Sequence, residues 1–297
     1  MVYPLRVEVN EQNIVKITGS FKAAYEEIVN EIQGATNFGV ANRKAILAQI
    51  DQILKDLGET ADAELQKDIP KYYHQGANEA VAQLKNVGAP INVKTGFNQI
   101  HKQAIFALVD DTATAFGESL SGVSRTANAL LGRAVREAIT QKIAKGAIAG
   151  DALREVKQQI KGILAEDGLT ALVDRGGKKW ELDRYAEMLF RTKMVEARNR
   201  GLANRMVENG YDLVQVSAHG ATDVCGDWEG KILSLTGDTP GYDTVADAEA
   251  DGLFHPNCRH AINALVPSLA RETRAYYPDE ETRLISEEQI ASLSGLD

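Results

Sequence analysis

The stretch DLVQVSAHGATDVCGDWEGKILSL, residues 212–235, decides how this chain must be built. Residues 212–218 and 231–235 alternate apolar and polar side chains as half-buried strands do, and the intervening HGATDVCGDWEG (219–230) is a glycine-punctuated loop. A small module containing strands therefore begins near residue 210. Immediately upstream, Leu182, Tyr185, Leu189, Leu202 and Met206 recur on repeating faces, which predicts a long helix from about Glu181 to Glu208 that ends at Gly210.

Further back the period stays helical. Phe21, Tyr25 and Ile28, then Ile46, Ile50, Ile53 and Leu54, fall at three- and four-residue steps. The segment EAVAQLKNVGAPINV closes a helix at Gly88, because the following Ala-Pro does not readily continue one, so a break is expected at residues 87–95. Helical patterns resume and are punctuated by Gly122, Gly146 and Gly150. Asp151 is the expected N-cap of a further helix that stops at Gly168. No repeat of fixed period is evident. The fold class expected is α+β: a mainly helical N-terminal two-thirds followed by a small α+β module with a short antiparallel sheet. The expected divisions are a helical N-terminal region at 1–90, a helical, partly basic docking region at 91–168, the α+β module with its long helix at 169–267, and an acidic tail with one short amphipathic helix at 268–297.

The chain has 297 residues, 44% hydrophobic and 25% charged, which is globular rather than disordered. The start MVYPLRVEVN lacks a basic segment followed by an apolar run, and no stretch reaches the ~18 apolar residues of a membrane span. The expectation is synthesis in a cytoplasm and no membrane partner. A net charge of −9 argues against coating nucleic acid over the whole surface. The charge is uneven, however. Eight basic residues stand against three acidic ones from Arg125 to Lys161, whereas twelve acidic residues stand against four arginines from Asp238 onward. Such polarity suits docking between opposite surfaces, and equally a solvated helix face and an acidic tail.

Five of the seven Cys and His side chains fall between His219 and His260. Cys225, His255, Cys258 and His260 would supply a Cys2His2 set to zinc from two loops, although neither cysteine belongs to a C-x2-C knuckle. A metal-free core with satisfied histidines, a disulfide, and a cysteine nucleophile with His219 or His255 as base remain open beside it. Asp223, Asp227 and Glu229 are the carboxylates at hand. Trp228, beside Gly230, is read as pinning its loop onto the sheet, and Gly252 as a special backbone turn before the core plug Leu253–Phe254. Pro256 stiffens that turn. Arg191 and Thr192, in mid-helix, read as an ion-paired arginine and a threonine bonded to its own helix. Phosphate-loop, H-E-x-x-H and G-x-S-x-G motifs are absent.

Several motifs in order carry a family resemblance: Trp180 with YAEM (185–188), Arg191-Thr192, DLVQVSAHG (212–220), WEGKI (228–232) and GLFHPNCRH (252–260). From about Leu164 to Pro267 the chain resembles the phage minor capsid protein 2 group, related to the Mu F-like minor head proteins of tailed phages. The resemblance implies a virion protein of few copies at the portal vertex or inner capsid surface, made in a bacterial host cytoplasm and acting in head assembly and genome packaging or delivery. Its partners would be the portal protein, the major capsid protein, or both, with residues 125–161 able to face packaged DNA. It brings no established catalytic activity. Where relatives place further Cys or His near the HGATDVC loop, this chain has Asp223 and Val224, which argues against a zinc role common to all members. A second expectation, of another class, is a Cys/His or metal-dependent effector carried in the head and ejected with the DNA.

Overall fold

The computed structural model describes residues 6–92, 98–145, 151–167, 170–173 and 179–267, with side chains over 6–92, 98–137, 156–164 and 180–267. Gly146, Gly150, the stop at Gly168 and the acidic 268–297 tail lie outside the described residues. The elements run α1 Glu11–Gly34, α2 Val40–Asn86, α3 Gln99–Lys145, α4 Asp151–Asp167, β1 Thr170–Val173, β2 Lys179–Glu181, α5 Leu182–Glu208, β3 Leu213–Val216, a 3-10 helix Val224–Trp228, β4 Ile232–Ser234, α6 Val245–Ala250 and β5 Ile262–Ala264. The α+β class is as expected.

Two compact units arise, each from segments distant in sequence. One draws on Glu11–Leu65 and Asp110–Met188, the other on Met1–Asn10, Gln66–Val109 and Leu189–Asp297. The expected boundary near 90 therefore falls inside the second of these and that near 168 inside the first. The cause is helix length. Helices α2 and α3 each run 47 residues, and α3 passes through Gly122 without a break. Gly122 costs helix propensity of about 1 kcal/mol, too little to end a helix whose flanking Leu120 and Val123 are buried. The expected break at 87–95 is present: α2 ends at Asn86, and Gly88 takes φ +72°, with the Gly88 and Ala89 amides returning to Lys85 and Leu84 carbonyls.

The helical unit is held by apolar stripes. On α1, Ile14, Ile17, Phe21, Ala24, Ile28 and Ile32 are all buried at the spacing of one helix face, while Tyr25 is half-buried. Phe21 meets Phe116 of α3 with ring centroids 5.3 Å apart. Ile46, Ile50 and Leu54 of α2 are buried likewise, and a Cβ on Gly58 would lie 3.3 Å from the Leu120 side chain. Each such burial contributes about 2 kcal/mol. Strands β1 and β2 pair antiparallel in this unit, with Leu172 opposite Trp180.

The mixed unit packs later parts of α2 and α5 beside a three-stranded antiparallel sheet of order β4-β3-β5. Val214, Val216, Leu233, Trp228, Cys225, Leu253, Cys258 and Ile262 share one core with Ala80, Leu84, Leu202 and Met206 of the helices. Helix α2 meets α5 at backbone distance. A Cβ on Gly76 would sit 1.8 Å from the Arg198 carbonyl oxygen, and one on Gly201 would sit 2.0 Å from that of Tyr73. Only glycine at both positions permits this approach. The outer edge of β5 is then satisfied by helix side chains: Asn199 accepts from the Ile262 amide, Gln83 accepts from the Ala264 amide, and Arg198 donates to the Ile262 carbonyl at 2.7 Å. Arg198 is 1% exposed, and Glu79 neutralises it through its Oε2.

Candidate functional site

The loop 217–231 and the turn 252–261 converge beside the sheet. Asp223 opens the 3-10 helix by accepting the Cys225 amide at 3.0 Å, which sets the Cys225 thiol inward and fully buried. Trp228 is buried in the same core, with Lys231 Nζ 4.1 Å from its ring centroid, and Gly230 turns the chain at φ +76° into β4. Across from this loop, Gly252 at φ +105° leads to Leu253, 2% exposed, and to Phe254. Phe254 adopts φ +62° and Asn257 φ +67°, both strained for side chains larger than glycine. The turn is secured where Thr192 Oγ1 accepts the Asn257 amide at 3.0 Å, so Thr192 holds this turn from α5. Phe254 is half-buried and packs against the core, and Pro256 is exposed with its carbonyl 2.8 Å from His255 Nδ1.

The result is a buried cluster. Cys225 Sγ lies 3.5 Å from Cys258 Sγ, and Cys258 Sγ lies 3.2 Å from His260 Nδ1. Both thiols are free. His260 Nε2 reaches Glu229 Oε1 at 3.1 Å, and its ring stacks on His219 at a centroid distance of 4.2 Å. Glu229 accepts the amides of His219, Gly220 and Ala221 at 2.7, 3.1 and 3.0 Å. Desolvation pushes the Glu229 carboxyl up, but the His219 and Ala221 amides, His260 and the Gly220 amide outweigh it and hold the group at about 2. Burial keeps His260 below the ordinary histidine value, against the pull of Glu229, so the ring is neutral at neutral pH. Burial, with Cys225 alongside, pushes the Cys258 thiol up to about 12 despite the His260 amide. His219 Nε2 is buried and has no hydrogen-bond partner among the described residues.

Of the four residues read as a zinc set, the fold gathers Cys225, Cys258 and His260, whose ligand atoms all lie within 4.8 Å of one another. His255 joins a second group with Asp223 and Cys225, and its Nε2 faces Asp223 Oδ2 at 3.0 Å. Trp180, half-buried in the middle of β2, and Tyr185, buried on α5, belong to the helical unit; Arg191 is half-buried on α5. Glu229 was legible only as one carboxylate among several. Its position between Trp228 and Gly230, where a buried ring and a left-handed glycine fix the backbone, was the available signal. Arg198 and Asn199 were missed, although both sit among buried Ala197 and Leu202, where a charge needs a partner. Beside the cluster a cavity of about 660 Å3 is lined by Thr192, Asn199, Arg200, Phe254, His255 and Cys258, among others.

The family model described as Phage minor capsid protein 2 matches residues 22–294, well beyond the stretch in which the motifs are legible by eye. A protein of Lactococcus phage LL-H, described as a structural protein, is 25% identical over 121 residues, which are 38% of this chain and 33% of the relative. The match thus spans about a third of that relative's length. No solved structure matches the chain. Because the family match takes in nearly all of both compact units and not the Cys/His module alone, the chain belongs to the phage minor capsid protein 2 family.

Proposed function

We propose that this protein is a structural component of a tailed-phage head, present in few copies at the portal vertex or inner capsid surface, where it acts in head assembly and in packaging or delivering the genome. The observation that carries this reading is the family match over residues 22–294. The phage structural relative supports it as well. Membership of a capsid family brings contact with other virion proteins, and the portal and major capsid proteins are the partners proposed. The order of the motifs from Trp180 to His260 supports kinship with Mu F-like minor head proteins.

The basic stretch 125–161 is the proposed contact with packaged DNA or an acidic portal face. Arg125, Arg133 and Arg136 of α3 and Lys161 of α4 are exposed, Lys157 is half-buried, and Arg133 is paired with Glu137; the side chains of Lys142, Lys145 and Arg154 lie outside the described residues. Among the described residues no helix is long and apolar enough to cross a membrane. Quantitative mass spectrometry of purified virions tests the reading. A few copies per head, cross-linked to the portal or major capsid protein, are expected. Absence from heads, or hundreds of copies in each, would overturn it.

A specific observation keeps the effector reading in view. Cys258, His260 and Glu229 stand in the order nucleophile, base and orienting carboxylate, with Cys258 on the cavity wall. Cys258 is nevertheless only 6% exposed and faces a second thiol, which suits holding the fold better than attacking a substrate. Alkylation of the native protein at neutral pH separates the two. Protection of Cys258 is expected, whereas its rapid modification at the rate of an activated thiolate would favour the effector.

A further inference from the structure

We infer that Cys225, Cys258 and His260 form a binding site for a single zinc-class divalent cation, with Glu229 holding His260 so that its Nδ1 is free to coordinate. This goes beyond the head assignment and does not depend on it. The geometry is close to what a tetrahedral ion needs. Zn–S bonds of about 2.3 Å and Zn–N bonds of about 2.0–2.1 Å set ligand separations of about 3.8 Å between two sulfurs and about 3.6 Å between sulfur and nitrogen. The observed separations are 3.5 Å for Cys225 to Cys258 and 3.2 Å for Cys258 to His260 Nδ1. An expansion of a few tenths of an ångström seats the ion.

The surrounding residues favour the same reading. A metal-bound histidine commonly donates its other ring nitrogen to a carboxylate, which fixes the tautomer. Here His260 Nε2 faces Glu229 Oε1 at 3.1 Å, and Glu229 is itself immobilised by three backbone amides. The His260 amide points at Cys258 Sγ at 3.4 Å, a donor suited to a coordinated thiolate. Two sulfurs and an imidazole select zinc-class ions over magnesium or calcium, which take oxygen donors. The fourth position opens toward Asp223 and His255, both of which place a ligand atom within 4.8 Å of Cys225 Sγ. With His255 Nδ1 bonded to the Pro256 carbonyl, Nε2 is the nitrogen left to close the shell by exchanging Asp223 for the ion. The ion would tie the 3-10 helix to the turn before β5, joining two loops 33 residues apart at Cys225 and Cys258.

The test uses the full chain, produced with zinc and purified under reducing conditions without chelator. Elemental analysis is expected to give about one equivalent of zinc per chain. Cys225→Ser and His260→Ala are expected to lose it. Glu229→Gln is expected to weaken it by about 10- to 100-fold in chelator competition. His255→Ala should retain the ion with lower affinity. To keep the test independent of the folding of ligand variants, the wild-type protein is also stripped and reloaded with cobalt, where tetrahedral thiolate ligation gives charge-transfer and visible d–d bands. Folded wild-type protein that holds less than about a tenth of an equivalent and shows no such bands overturns the inference, as does full zinc retention in folded Cys258→Ser. A Cys225–Cys258 disulfide in protein kept reduced also overturns it. None of these outcomes changes the copy number measured in virions, so the two readings fail separately.

Discussion

In the helical unit Phe21 sits ring to ring with Phe116, and the buried positions of α1 repeat as one apolar stripe. In the mixed unit the bulkiest fully buried side chain among the described residues is an arginine, Arg198, and two glycines decide where the helices touch. The first kind of core tolerates graded change, because any apolar side chain of similar volume recovers most of the burial. The second is held by groups with one geometry each, so loss of a partner leaves a buried charge or a steric clash.

The contrast can be broken most directly at the glycines. Gly76→Ala and Gly201→Ala would each put a methyl about 2 Å from a backbone carbonyl, and a loss of about 4 kcal/mol or more is expected. Chemical denaturation with hydrogen exchange checks it; protection should fall first around 66–86 and 189–208, and an unchanged midpoint would show that the helices can separate cheaply. Phe21→Ala is expected to cost about 3–4 kcal/mol, with exchange rising in α1 and the facing part of α3, while Ile28→Val costs about 1 kcal/mol. If those two variants proved equally damaging, the graded character of the helical core would be refuted.

Asn199→Ala removes partners of the Ile262 amide, Arg198 and the His260 carbonyl at once, and about 2 kcal/mol is expected. Asn199→Asp keeps the acceptor but not the donor to His260, and should fall between the two.

The smallest effect concerns pH. Desolvation pushes Asp212 up, but bonds from Ser234, Thr239 and Thr236 outweigh it and bring the carboxyl to about 2. A carboxyl lowered in the fold contributes stability that is complete above its unfolded value near 4 and is lost as pH falls toward 2. Urea midpoints measured between pH 5 and 2 should therefore fall less steeply in Asp212→Asn than in wild type. Parallel slopes would remove Asp212 from the acid response.

How much was legible beforehand follows the same division. The helix expected over about 181–208 is Leu182–Glu208, and the strands expected in 212–218 and 231–235 are Leu213–Val216 and Ile232–Ser234. Periods of 3.6 and 2 report burial on one face, and in these segments burial decided the element. The length of α2 and α3 was not legible, since Gly122 and the shifts in pattern read as punctuation while buried contacts carried the helices through. Nothing in the sequence signalled that the Thr192 hydroxyl accepts the amide of a turn 65 residues away.

By itself the sequence determined the α+β order, the clustering of cysteine and histidine between residues 219 and 260, and enough ordered motifs to suggest the family. Only the tertiary structure decided that Cys225, Cys258 and His260 gather while His255 turns to Asp223, that Glu229 orients His260, and that Gly76 and Gly201 bring two helices into backbone contact. The physical reason is separation along the chain. Local periodicity encodes which face is buried, but the partner on the other side, 31 to 181 residues distant in the contacts of this protein, is fixed only when the core closes.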